Sequence, residues 1–349
     1  MKKYFSFNKG PFLLKHKVLG SLLFMLMASL SCQAQVSDQW IQYSGKEGPG
    51  KGKHIVLISG DDEYRSEEGL PMLGKILAER HGFTCTVLFA IDPKTNEITP
   101  NYPHNIPGLE HLENADLMIM LLRFRELPDE QMKYIDDYIR SGKPIIGLRT
   151  STHAFNFSKE SKSPYAKYSW QNKGENWNQG FGREVLGETW VSHHGHHAHE
   201  GTRALVDGVD QIQDHPILRG VEDIWGPSDV YTVQNLPEEA NVLLYGQSTK
   251  GMTAEDPLIW EKSVMPIAWT LEYTGEEGKK SKVFTSTMGA SVDLESEDLR
   301  RMIVNASYWS LDMEEAIGQD LNVEYVGEYN PIMFGFDKFE RGMKPQDFK

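Results

Sequence analysis

Residues 54–60 read His-Ile-Val-Leu-Ile-Ser-Gly, an unbroken apolar run rich in β-branched side chains and closed by glycine. A run of that kind suits a strand buried on both faces, and such strands belong to parallel sheets covered by helices. The pattern returns at Leu117–Leu122 and at Pro144–Leu148, with a further strand expected over Thr84–Phe89. Between these runs the spacing changes to that of a helix. Leu70, Leu73, Ile76 and Leu77 share one face within 66–80, and Met132, Ile135, Tyr138 and Ile139 share another after Pro128. Pro128 opens that second helix and Ser141-Gly142 closes it. Strand and helix in this rhythm predict an α/β chain built on a doubly wound, mostly parallel sheet.

The second half is less regular. Residues 156–200 are rich in Asn, Gly, Trp and His and read as a large insertion over the sheet's edge. Short strands are expected at Thr202–Val206, Asp229–Val233, Val242–Gly246, Met265–Leu271 and Lys282–Thr287, and a closing helix at Glu295–Leu311. The expected division is a leader over 1–34, a polar lead-in over 35–53, one α/β domain over 54–313 and an aperiodic extension over 314–349.

The leader carries Lys2, Lys3, Lys9, Lys15 and Lys17, no acid, an apolar run from Val18 to Leu30, and small residues before Gln35. These are the marks of a secretory signal cut after Ala34, too short to span a bilayer, so the mature chain is expected to be exported, periplasmic or extracellular, without a transmembrane segment. Lipid attachment at Cys32 is the competing reading, disfavoured by Ser29 three positions earlier. Removing the five lysines takes the formal charge from −14 to −19, which repels phosphate backbones and argues against nucleic acid as a partner. The mature chain keeps one cysteine, Cys85, so neither an internal disulfide nor a cysteine zinc cluster can form.

In an open parallel sheet, ligands bind outside the carboxyl ends of the strands. Those ends carry Asp61, Asp62, Glu63, Tyr64 and Arg65 after the first strand, Arg123 and Arg125 after the third, and Arg149, Thr150, Ser151, Thr152 and His153 after the fourth. Asp61 and Ser66 are also ordinary helix caps, and the arginines could simply pair with neighbouring acids.

Four stretches carry a family likeness: Val56-Leu57-Ile58-Ser59-Gly60, Gly147-Leu148-Arg149, Asp214-His215-Pro216-Ile217-Leu218-Arg219-Gly220, and Lys282 through Gly289. Through them the chain resembles the ThuA-like family, named for trehalose utilisation, within the class I glutamine amidotransferase-like superfamily. The resemblance implies a three-layer, flavodoxin-like fold and a connection to carbohydrate. Where the amidotransferases place a nucleophilic cysteine in a strand-to-helix elbow, this sequence has Arg149. A guanidinium cannot attack an amide, so glutamine hydrolysis by that route is excluded. Family members often carry a histidine at the elbow and a Gly-His after the late strand; here Arg149 and Gly289-Ala290 stand instead.

Five histidines crowd His193-His194-Gly195-His196-His197-Ala198-His199-Glu200. On a helix, His193, His196 or His197, and Glu200 share a face, and on a strand His197 and His199 do; the set His193, His197 and Glu200 could move protons or present two imidazoles and a carboxylate to a divalent metal. Folded over the strand-four turn, they would meet Arg149 and His153. A polar loop with one or two ligand-binding histidines is the plainer alternative. The insertion's aromatics, Trp170 and Trp177 among them, offer faces for a sugar ring or form a satellite core. The sequence-level expectation is a protein acting on a small carbohydrate, a glycoside or an oxidised sugar. A sugar-binding protein without catalysis and a metal-dependent hydrolase are the alternatives. Asp61, Asp62, Arg123, Arg125, Thr150, Trp170 and Trp177 are its expected substrate contacts. The oligomeric state is not legible.

Overall fold

The computed structural model describes residues 1–6, 38–206 and 214–349. The expected leader, Cys32 included, falls outside the described residues except for its first six. Residues 38–349 form one compact unit. Among the described residues, no helix is long and apolar enough to cross a membrane.

The unit is a mixed α/β fold on a ten-stranded sheet. Its first half comprises β1 (Trp40–Ser44), β2 (His54–Gly60), β3 (Thr84–Leu88), β6 (Leu117–Leu122) and β7 (Ile145–Leu148). A small hairpin, β4 (Ile91–Asp92) with β5 (Glu97–Ile98), stands apart from it. The second half adds β8 (Thr202–Leu205), β9 (Trp225–Gly226), β10 (Asn241–Ser248), β11 (Met265–Thr274) and β12 (Lys280–Ser286). Strand order is β1-β3-β2-β6-β7-β12-β11-β10-β8-β9. From β3 to β12 the neighbours are parallel, and the continuous apolar runs of β2, β6 and β7 lie among them. Beyond β12, and at β1, every pairing is antiparallel. The expectation of a mostly parallel sheet therefore applies to its centre only. The short 275–279 connection returns β11 to β12 as a hairpin, whereas parallel neighbours need a crossover long enough to hold a helix.

Three helices cover the sheet: α1 (Ser66–Glu79), α2 (Asp129–Arg140) and α3 (Glu297–Ser310). Alternate residues of β2 go to opposite cores. Ile55 and Leu57 pack with Leu70, Leu73 and Ile76 of α1 and with Met302 of α3, while Val56 and Ile58 pack in the core that holds Met132 and Ile135 of α2.

Four expectations are corrected. The lead-in contributes β1, which pairs with β3 and belongs to the sheet. Asp229–Val233 is not a strand; it makes an isolated bridge between Tyr231 and His193. The insertion lies over a face of the sheet rather than its edge. Phe155, Tyr168, Phe181 and Leu186 share a core with Ile145 and Val283, and a Cβ on Gly147 would come within 2.7 Å of Leu186. The closing helix starts two residues later than expected, because Ser291–Glu295 forms a separate 3₁₀ turn before it.

Candidate functional site

β7 ends at Leu148, and Arg149 turns the chain with φ of 42°, in the left-handed region. Residues Arg149–His153 then form a 3₁₀ turn. A long side chain at such an angle is strained and persists only where its surroundings hold it. The guanidinium is held on many sides. Nη1 donates to the carbonyls of Asp229 and Thr287 at 2.9 and 2.7 Å. Nη2 donates to the Tyr64 hydroxyl at 3.1 Å and to Asp229 Oδ1 at 3.0 Å. The rings of Tyr64 and Tyr231 lie 4.3 and 4.1 Å from its central carbon, a spacing that favours cation–π attraction. Arg149 is thus at the expected bend, but it is buried and its terminal donors are spent on protein. It braces the site and cannot reach out to hold a substrate.

The brace delivers Asp229. Its carboxylate is fully buried and accepts from Arg149, from His193 Nδ1 at 2.7 Å and from His197 Nδ1 at 3.1 Å. Burial pushes this carboxyl up, but the hydrogen bonds from the two histidines and the Arg149 charge outweigh it and hold the group well below the usual carboxylate range. Asp293 fixes the preceding residue by accepting from the Ser228 amide and hydroxyl at 3.1 and 2.6 Å.

His193 and His197 share this one partner but differ in their other contacts. His197 bridges two carboxylates, Asp229 through Nδ1 and Glu63 Oε1 through Nε2 at 3.0 Å. Hydrogen bonds to Asp229 and then Glu63 raise its pKa to about 9, so it is a cation at neutral pH. Its ring centre lies 4.6 Å from that of His193. Because Asp229 is ionised, His193 Nδ1 must carry the proton it donates, an assignment made from the hydrogen-bond network. Its Nε2 has no hydrogen-bond partner among the described residues, on a side chain that is 35% exposed. One imidazole is locked between two carboxylates; the other keeps a ring nitrogen without a protein partner among the described residues.

Aromatic rings form the adjoining wall. Trp190 lies 5.6 Å from His193, and Tyr231 lies 5.8 Å from it. His153 sits behind them, buried against Phe124 at 5.1 Å, Trp190 at 5.7 Å and Trp170 at 6.3 Å. Burial, with the charges of Arg123 and Arg149, pushes its pKa well down, so it is neutral packing and not a proton carrier. Trp177 does not join the wall; it meets Tyr168 edge-on at 4.7 Å in the core under the insertion.

Several other expected residues serve the scaffold. Asp61 is buried and accepts from the Glu63 amide at 2.7 Å, from the Tyr64 amide and from the Thr150 hydroxyl, which fixes the turn that presents Glu63. Burial and neighbouring Asp62 raise its pKa. Arg125 is buried and donates to the carbonyls of Arg123, Pro100 and Tyr102, pinning the proline-rich loop. Glu200 turns away from the histidine pair, accepting from Lys262 Nζ at 2.5 Å and from the His196 amide at 2.8 Å. Arg123 and Asp62, 2.9 Å apart, remain partly exposed at the rim. His215 caps backbone, its Nδ1 accepting from the Ile217 amide.

The donor atoms that could meet on a metal ion are therefore those of His193, His197 and Asp229, all within 4.8 Å of one another, with Asp229 in the position expected of Glu200. Two imidazoles and a carboxylate suit a divalent transition metal. His197 would first have to lose the proton on Nδ1, while its Nε2 could keep donating to Glu63 and orient the ring.

A mixed α/β sheet whose strand ends support a carboxylate-bound histidine pair, with a buried arginine in the turn after β7, defines the class. The ThuA family, described as trehalose utilisation, matches residues 55–310, and the chain belongs to it. Two solved structures described as ThuA-like are similar. The protein from Bacteroides uniformis is 13% identical with a TM-score of 0.45, over 79% of this chain and 98% of that one. The protein from Parabacteroides merdae is 14% identical with a TM-score of 0.45, over 75% and 91%. A comparison with curated proteins finds no significant match.

Proposed function

We propose that this member of the ThuA family is an exported enzyme acting on carbohydrate, a glycoside or an oxidised sugar, with His193 as the group that moves the proton. The observation that carries this reading is the 2.7 Å contact between His193 Nδ1 and the ionised Asp229 carboxylate, which leaves Nε2 as an acceptor at the mouth. A proton could be taken there from a sugar hydroxyl or from a carbon beside a keto group, while the His197 cation favours the negative charge that develops. Trp190 beside His193 supports a sugar ring as the substrate, since aromatic faces pack on the apolar sides of such rings. In this reading the two cores on opposite sides of the sheet belong to a three-layer, flavodoxin-like arrangement, and residues 1–34 are the export signal. The test is a panel of glycosides and keto-sugars assayed with the wild type and with His193→Gln. Turnover by the wild type that the variant loses supports the reading; wild-type turnover that survives in the variant removes His193 from the chemistry.

A second reading has its own observation, the convergence of His193, His197 and Asp229 donors. Here the same three residues hold a divalent metal that activates water. Metal analysis of the protein purified without a histidine tag, in step with activity, distinguishes the two.

A further inference from the structure

Beyond residue 37, the exposed large apolar side chains among the described residues are Trp260, Val264, Ile332, Met333 and Phe336. Three of them fall in one stretch of the C-terminal extension, outside the 55–310 region that matches the family. Exposed apolar groups concentrated in one stretch mark a contact surface more often than scattered ones do. This stretch is clasped to the site. Phe334 is buried, its ring 5.2 Å from Tyr64 and 5.8 Å from His197. The Gly335 amide donates to the Glu63 carbonyl at 2.8 Å, and its own carbonyl accepts from Arg65 at 2.8 Å. Gly335 has φ of 145°, a conformation that other residues rarely adopt. On the far side, Asn101 donates to Asp337 Oδ1 at 2.8 Å.

Phe336 therefore stands between two anchored neighbours and is still 52% exposed. The Arg123 guanidinium lies 4.9 Å from its ring and 4.5 Å from that of Phe124. Asp62 holds that guanidinium at 2.9 Å, and its Nε is 3.9 Å from Glu63, the residue bound to His197. An aromatic side chain held in place and open to solvent, with a guanidinium on one face and Asp62 behind it, has in its other face the make-up of a ring-stacking subsite.

We propose that Phe336 is the platform for a second ring of the substrate, one ring beyond the sugar at His193, and that the ligand is a glycoside whose outer ring presents an apolar face. That face comes either from a second sugar or from an aryl aglycone. The inference rests on the carbohydrate reading and adds the size of the substrate and the part of it that the C-terminal extension grips.

The experiment measures binding of methyl glucoside, phenyl glucoside and trehalose by calorimetry to the wild type, Phe336→Ala and Phe336→Trp. Phe336→Ala is expected to weaken a two-ring ligand about three- to tenfold and leave methyl glucoside unchanged, with Phe336→Trp restoring affinity. A loss confined to phenyl glucoside assigns the platform to an aryl aglycone, and a loss confined to trehalose assigns it to a sugar. Equal losses for one- and two-ring ligands, or no loss for either two-ring ligand, overturn the inference and leave the carbohydrate reading standing. A wild type that binds none of the three overturns both.

Discussion

Arg149 binds Asp229 twice, through the main-chain carbonyl at 2.9 Å and through the carboxylate at 3.0 Å, although the two residues are eighty positions apart. Both side chains are fully buried. The left-handed bend at Arg149 aims a cation inward, to set the charge on the residue that orients both histidines.

Breaking that pair should cost more than either partner's packing. Arg149→Met leaves a buried carboxylate facing only the histidines, and removal of one member of a buried pair costs about 3–5 kcal/mol. Adding Asp229→Asn in the same chain should recover part of the loss, because the stranded charge is then gone. Urea denaturation of the two variants checks this. A double variant less stable than Arg149→Met would show that the charge is not what the arginine serves.

The central strands were readable because burial on both faces leaves an uninterrupted apolar run, as at His54–Gly60. β1 was not, since Trp40–Ser44 is short and alternates buried with exposed positions beside a glycine-rich stretch. The histidine cluster announced itself by density alone. Its carboxylate did not, because proximity in sequence favoured Glu200, whereas the loop turns that side chain to Lys262 and admits Asp229 from a distant segment. Nothing local distinguishes Asp229 from the chain's many other acids. Glu63 was at least placed, by the rule that ligands gather at strand ends. Phe334 and Phe336 lie in an aperiodic tail, where no pattern tells an anchored residue from a loose one.

Exchange of the proton-moving residue should separate activity from stability. His193 is partly exposed, and glutamine keeps a donor toward Asp229 while removing the base. His193→Gln is expected to lower turnover by about 10²- to 10⁴-fold, the usual share of general acid–base catalysis, with its melting temperature nearly unchanged. A fall in turnover that merely tracks a fall in folded fraction would count against the assignment.

His197 should leave a signature in the pH dependence of stability. Its folded pKa, about 9, lies above the ordinary value of 6.5, so the fold binds this proton more tightly than the unfolded chain does. The stabilisation is complete below pH 6.5 and is lost as the pH rises through 9. Denaturation midpoints measured from pH 6 to 10 should fall for the wild type and fall less for His197→Gln. Parallel curves would mean that the bridge between Glu63 and Asp229 does not hold in solution.

Zinc should compete with protons at the same pair. Coordination by His193, His197 and Asp229 needs a neutral His197, and that imidazole holds its proton up to about pH 9. Apparent zinc affinity should therefore rise by up to roughly tenfold per pH unit through the neutral range and level off near 9. Under acid–base chemistry the ion takes the His193 imidazole and its Asp229 partner out of use. Zinc then inhibits, more strongly at pH 8 than at pH 6, and a chelator leaves turnover of the purified protein intact. Activity that a chelator abolishes and a divalent ion restores would transfer the chemistry from the free imidazole to a bound metal.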